Sequence, residues 1–92
     1  MKTARQSALV ALAQQIRKIR KERGISQEDF AAVAGLDPSY YGSVERGERN
    51  IAALNLMRIA AALDVEVGDL FPKAELFRSM LDKIDIAATG EE

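Results

Sequence analysis

The chain has 92 residues, 48% of them hydrophobic and 5% aromatic, and a net charge of −1. That length fills one core and not two, so a single domain over 1–92 is expected. It has no cysteine and no histidine, which excludes disulfides, zinc ligation by those residues, thiolate nucleophiles and serine–histidine triads. No metal set, phosphate loop or nucleophile–base pair stands out, so no catalytic residue, metal or cofactor is expected. The longest apolar candidate, Ser7 to Ala13, is far shorter than the ~20 residues of a membrane span, and nothing resembles a signal peptide. A soluble, cytoplasmic protein without membrane association is expected. The charge is segregated: residues 1–23 carry +6, residues 24–49 carry −3 and residues 50–92 carry −4.

In chain order, Ala8, Leu9, Leu12, Ala13, Ile16 and Ile19 recur at helical spacing and predict a long first helix ending near Arg23. Gly24 is its left-handed stop. Ser26 opens a second helix, with Asp29 in the place of a capping-box partner. Phe30, Ala31, Val33 and Ala34 form its expected inward face, and Gly35 ends it. Asp37 and Pro38 are a cap and first-turn pair that opens a third helix, which runs through Val44 and stops at Gly47. Leu54, Leu56, Met57, Ile59, Ala60 and Leu63 mark a fourth helix. Val65, Val67, Leu70 and Phe71 suggest a short fifth, closed by Pro72. From Ala74 to about Ile86 an amphipathic helix carries Leu76, Phe77, Met80, Leu81 and Ile84 on one face. Residues 87–92 form a polar tail expected to be disordered. No segment alternates with period two, so the fold is expected to be all-α.

Residues 26–47 have a particular internal order. Two short helices that cross steeply need a small residue where they meet, and Ala31 is there. The turn between them needs a residue tolerant of positive φ, which Gly35 supplies. Leu36 plugs the core beneath the turn, and Val44 anchors the third helix from below. This is the order of a helix-turn-helix.

The runs Ser26-Gln27-Glu28-Asp29-Phe30-Ala31, Gly35-Leu36-Asp37 and Val44-Glu45-Arg46-Gly47-Glu48-Arg49-Asn50 resemble the phage repressor and Cro class of regulators. Within that class the chain is most similar to the controller proteins of restriction–modification systems, through Asp37, Tyr40 and Glu45 to Asn50. The resemblance covers about 9–71. It implies a five-helix repressor-like DNA-binding domain, here with an extra C-terminal helix over 74–86. Three positions depart from the class pattern. Tyr41 replaces the usual Ile or Val, so either the core has room for a ring or the third helix is rotated. Ala52 stands where a capping Ser or Thr is common, leaving Asn50 as another cap. Pro38 holds a place that is often basic.

The resemblance implies a third helix lying in the major groove, with its exposed residues Ser39, Tyr40, Ser43 and Arg46 as base-contact candidates. Tyr41 is expected in the core. Arg46 has a second reading as an ion-pair partner of Glu45 or Glu48. Phosphate-contact candidates are Gln27 at a helix N-terminus, Arg17 and Arg20 at the end of the first helix, and Arg49 and Asn50 after the third.

The C-terminal stripe is open to two placements. It packs across the first helix against Leu9 and Leu12, or it joins Leu70 and Phe71 in a two-fold interface built from Leu70, Phe71, Leu76, Phe77, Met80, Leu81 and Ile84. The second is favoured by what relatives do, and would set two recognition helices about 34 Å apart on a palindromic operator. The function expected is a homodimeric, sequence-specific transcription regulator that binds double-stranded operator DNA and needs no small-molecule ligand. A phage-type repressor, or an antitoxin that binds a protein toxin through its C-terminal segment, are the alternatives.

Overall fold

The computed structural model describes residues 3–83. Among them are five α-helices and no strand: α1 (Ala4–Glu22), α2 (Gln27–Ala34), α3 (Pro38–Glu45), α4 (Ala53–Leu63) and α5 (Ala74–Leu81), with a 3-10 turn at Val67–Leu70 between the last two. The expected fifth helix is thus a single tight turn. Asp69 caps it by accepting from Glu66 N at 3.0 Å, and Pro72 two residues beyond gives it no chance to propagate.

Local chemistry sets the ends. Thr3 and Gln6 form a capping box at the start of α1, with Gln6 N donating to Thr3 Oγ1 at 3.1 Å and Thr3 N donating to Gln6 Oε1 at 2.9 Å. Ser26 accepts from Asp29 N at 3.1 Å and Asp37 accepts from Tyr40 N at 3.0 Å, so both short helices of the motif are capped as expected. Gly35 turns the chain at φ 72°, where a Cβ would be strained. The N-cap of α4 is Ala52, which supplies no side-chain bond; Asn50 does not take that place.

The core gathers Ile16 of α1, Phe30 and Ala31 of α2, Tyr41 and Val44 of α3, and Ile59 and Leu63 of α4, with Leu70 closing it from the 3-10 turn. Val33, expected to face inward, is 66% exposed. An eight-residue helix buries a narrow face, and Phe30, Ala31 and Ala34 already fill it. The core has room for the Tyr41 ring, which is fully buried and packs at 51° on Phe30 with centroids 5.1 Å apart.

Helix α5 lies along α1 in the same subunit, beside an apolar groove to which Leu9, Leu12, Phe71, Phe77 and Leu81 contribute. This is the intrasubunit one of the two placements that the stripe left open. No α5 residue is buried, however, and Leu76 and Leu81 remain about half exposed. Leu70, an expected interface residue, is wholly inside the core. Ile84, the remainder of the expected helix to Ile86 and the tail 87–92 lie outside the described residues.

Candidate nucleic-acid interface

The site is assembled around the amino end of α3. Pro38 at its first position needs no hydrogen-bond acceptor and leaves Ser39 exposed beside it. Tyr40 is half-buried. Its Oη accepts from Asn55 Nδ2 of α4 at 3.1 Å, and the Arg49 guanidinium lies over its ring, 5.7 Å from the centroid. Ser43, expected on the outer face, is buried instead. Its hydroxyl donates to Tyr40 O at 2.6 Å and accepts from Arg49 Nε at 3.0 Å. Ser43 therefore holds Arg49 in place rather than offering itself to a base. Both of its hydrogen-bonding roles are taken inside the protein.

Behind this face lies a buried ionic cluster. Arg20, expected at the surface near phosphates, turns inward with a side chain 8% exposed. Its Nε and Nη2 donate to the Glu45 carboxylate at 2.6 and 2.9 Å, and its Nη1 donates to Ile25 O at 2.7 Å. Each guanidinium nitrogen thus has an acceptor inside the protein, and the side chain is held inward rather than extended toward solvent. Tyr41 donates its hydroxyl to the same carboxylate, and Gln27 Nε2 donates to it at 3.1 Å. Burial works to raise the Glu45 pKa, but the bonds from Arg20, Tyr41 and Gln27 together hold it below its ordinary value. Burial, and then the Glu45 carboxylate, push the Tyr41 phenol well up. Both groups therefore keep one protonation state near neutral pH, Glu45 charged and Tyr41 not.

The cluster joins three helices. Glu45 ends α3, Arg20 sits near the end of α1 and Gln27 opens α2, so one carboxylate fixes the recognition helix to both neighbours. It also orients Gln27, which stays exposed at the α2 N-terminus. A shallow polar cleft lined by Arg17, Gln27, Arg46 and the edges of Arg20 and Glu45 runs past that point. Gly42 of α3 lies beside Gln27 and Arg46; a Cβ there would meet Arg46 Nη1 at 3.2 Å and Gln27 Oε1 at 3.5 Å.

Arg46 pairs with Glu48, Nε to Oε2 at 3.0 Å, with both side chains more than half exposed. So exposed a pair is readily exchanged for another anion. Arg17 is exposed on α1, as are Arg49 and Asn50 after α3. The loop carrying them is pinned from behind: Gly47, at φ 72°, packs so closely on α1 that a Cβ would lie 2.6 Å from Val10 Cγ2.

Ser39, Gln27, Arg17, Arg46, Arg49 and Asn50 are exposed around α3, as expected from the sequence, and Tyr40 is half-buried among them. Three contributors were not expected. Glu45 looked like a surface partner for Arg46, and the Tyr41 hydroxyl and Asn55 had no assigned contact. The spacing of four between Tyr41 and Glu45 was the one available signal, since it puts both on one side of α3.

A capped α2, a left-handed turn at Gly35, and an α3 with an exposed polar amino end define a helix-turn-helix DNA-binding regulator of transcription. The chain belongs to the helix-turn-helix family, whose model matches residues 16–70. It is 40% identical over 67 residues to the control protein C.MunI of a Mycoplasma species, covering 72% of this chain and 90% of that protein. The crystal structure of the restriction–modification controller protein C.AhdI from Aeromonas hydrophila superposes with a TM-score of 0.69 at 46% identity, over 71% of this chain and 98% of that one. A hypothetical transcription factor from Neisseria, NHTF, gives a TM-score of 0.68 at 39% identity, over 83% and 86%. All three relatives are regulators by name. No helix among the described residues is long and apolar enough to cross a membrane.

Proposed function

We propose that the chain is a cytoplasmic, homodimeric controller of a restriction–modification operon that binds palindromic operator DNA. The observation that carries this reading is the likeness to controller proteins along nearly their whole length, 90% of C.MunI and 98% of C.AhdI. In this reading Ser39 and Tyr40 face base edges in the major groove, with Arg46 joining them when it leaves Glu48. Gln27, Arg17, Arg49 and Asn50 hold the phosphates on either side. Phosphate contacts add up without regard to sequence, and each one lost lowers the salt slope of binding by about 0.9. Arg17→Ala therefore weakens binding to all duplexes alike.

The dimer surface in this reading is built from Phe71, Leu76, Phe77, Met80 and Leu81. Phe71, just before α5, and Leu76 and Leu81 on it are exposed apolar residues. Pairing there would bring two recognition helices about 34 Å apart, one turn of duplex. Band shifts on DNA flanking the gene test the proposal, with a discrete complex expected at the operon promoter. Absence of any shift on genomic fragments at low salt overturns it. Sedimentation of wild type beside Phe77→Asp tests the dimer; a wild type that is monomeric at micromolar concentration removes that part.

A further inference from the structure

We propose that Asn55, on α4 and outside the helix-turn-helix, is a specificity-determining residue that makes Tyr40 a hydrogen-bond donor toward DNA. The inference deepens the proposed function and rests on Tyr40 reading a base.

Tyr40 is restrained at three points. Its backbone N is capped by Asp37 at 3.0 Å, its ring lies beneath the Arg49 guanidinium, and its Oη accepts from Asn55 Nδ2 at 3.1 Å. Arg49 is itself fixed through Ser43, at 3.0 Å. A phenol oxygen conjugated with its ring offers two directions in the ring plane, one for its hydrogen and one for a lone pair. Asn55 takes the lone pair. The hydrogen is left to point away from α4, so the hydroxyl presents a donor to whatever approaches the half-buried ring.

In the major groove that polarity selects. Thymine O4, purine N7 and guanine O6 accept a hydrogen bond; the cytosine N4 amino group donates one. A Tyr40 held as donor disfavours cytosine at the position it faces. Had Asn55 been a residue that only accepts, the hydroxyl would give its hydrogen to α4 and show a lone pair to the groove. The selectivity would then reverse. Recognition thus depends on a side chain from the following helix, 15 residues after Tyr40 in sequence, acting through the residue that touches the base.

Asn55→Asp makes the change with little else altered. The shape is conserved, and a carboxylate at the third position of a helix is favourable, more so on α4, whose N-cap Ala52 makes no side-chain bond. Its added charge lowers affinity for every duplex alike, so the readout is base preference rather than affinity. The experiment selects from a randomised duplex pool with the full chain as wild type, Tyr40→Phe, Asn55→Ala and Asn55→Asp. Wild type is expected to disfavour cytosine at one position of each half-site by about two- to tenfold, the range of one hydrogen bond, and Tyr40→Phe to lose that preference. Asn55→Ala should weaken the preference at the same position and Asn55→Asp should shift it toward cytosine. If both Asn55 variants return the wild-type preference there, the inference is overturned while base reading by Tyr40 stands. If Tyr40→Phe changes no position, base reading by the Tyr40 hydroxyl fails, and this inference with it.

Discussion

Replacing Glu45 by glutamine removes one charge and almost no volume from the centre of the molecule. Four donor groups converge on its carboxylate: Arg20 Nε at 2.6 Å, Arg20 Nη2 at 2.9 Å, Gln27 Nε2 at 3.1 Å and the Tyr41 hydroxyl. In Glu45→Gln one oxygen becomes an amino group that faces donors, and the Arg20 guanidinium stays buried without a counter-charge. Breaking a buried pair from one side costs about 3–5 kcal/mol. A domain of this size has a total stability of about 5–14 kcal/mol, so the loss is a large share of it. At about 4–8 °C per kcal/mol, melting followed by far-ultraviolet circular dichroism should fall by at least ~12 °C. Urea titration should give a lower midpoint with an unchanged slope. A melting point within ~3 °C of wild type would refute the reasoning, because the cluster would then carry no more than an exposed pair does. The triple variant Arg20→Met, Tyr41→Phe, Glu45→Leu removes the buried members together and should recover most of the stability. Gln27 is left unanchored in that protein, so its DNA affinity should stay low although it folds.

Acid provides an independent check on the same carboxylate. Its folded pKa lies below the unfolded value, so its contribution is complete above the unfolded pKa and is lost as pH falls through the folded one. Wild type should therefore lose melting temperature below about pH 4, and Glu45→Gln should lose less over that window. Two glycines with nearly equal φ, 71° at Gly24 and 72° at Gly47, separate conformational strain from crowding. Gly24→Ala meets nothing within 4 Å and should cost only the left-handed penalty of about 1–2 kcal/mol by urea titration. Gly47→Ala drives a methyl into Val10 and should cost clearly more; equal losses would contradict the close packing described. Ala52→Ser places a hydroxyl at the uncapped start of α4 and should raise stability by about 0.5–2 kcal/mol.

The helices and the motif could be read in the sequence because their signals are local. Ser26, Asp37 and Gly35 act within a few residues of themselves, and each sits where its chemistry predicts. The largest error concerns a contact across the fold. Arg20 and Arg17 are indistinguishable in composition and lie one helical turn apart, yet one is buried and the other exposed. What separates them is an acid 25 residues downstream that no local pattern connects to α1. Ser43 is taken from the surface by nearer partners, the Tyr40 carbonyl three residues before it and Arg49 six residues after, which use its hydroxyl. Leu70 and the α5 stripe looked alike as apolar residues, but the 3-10 turn drives Leu70 into the core and leaves the stripe at its rim.

Helix α3 has eight residues, a length of about 12 Å at 1.5 Å per residue. Laid along a groove that advances 3.4 Å per base pair, it can inspect about four base pairs. A word of four letters has ~256 spellings, so a chance match recurs every few hundred base pairs among the ~10⁶ or more sites a genome offers. The brevity of that helix limits the information one chain can extract, whatever the quality of its contacts. An address unique in a genome must therefore be spelled by several such words read at fixed spacing.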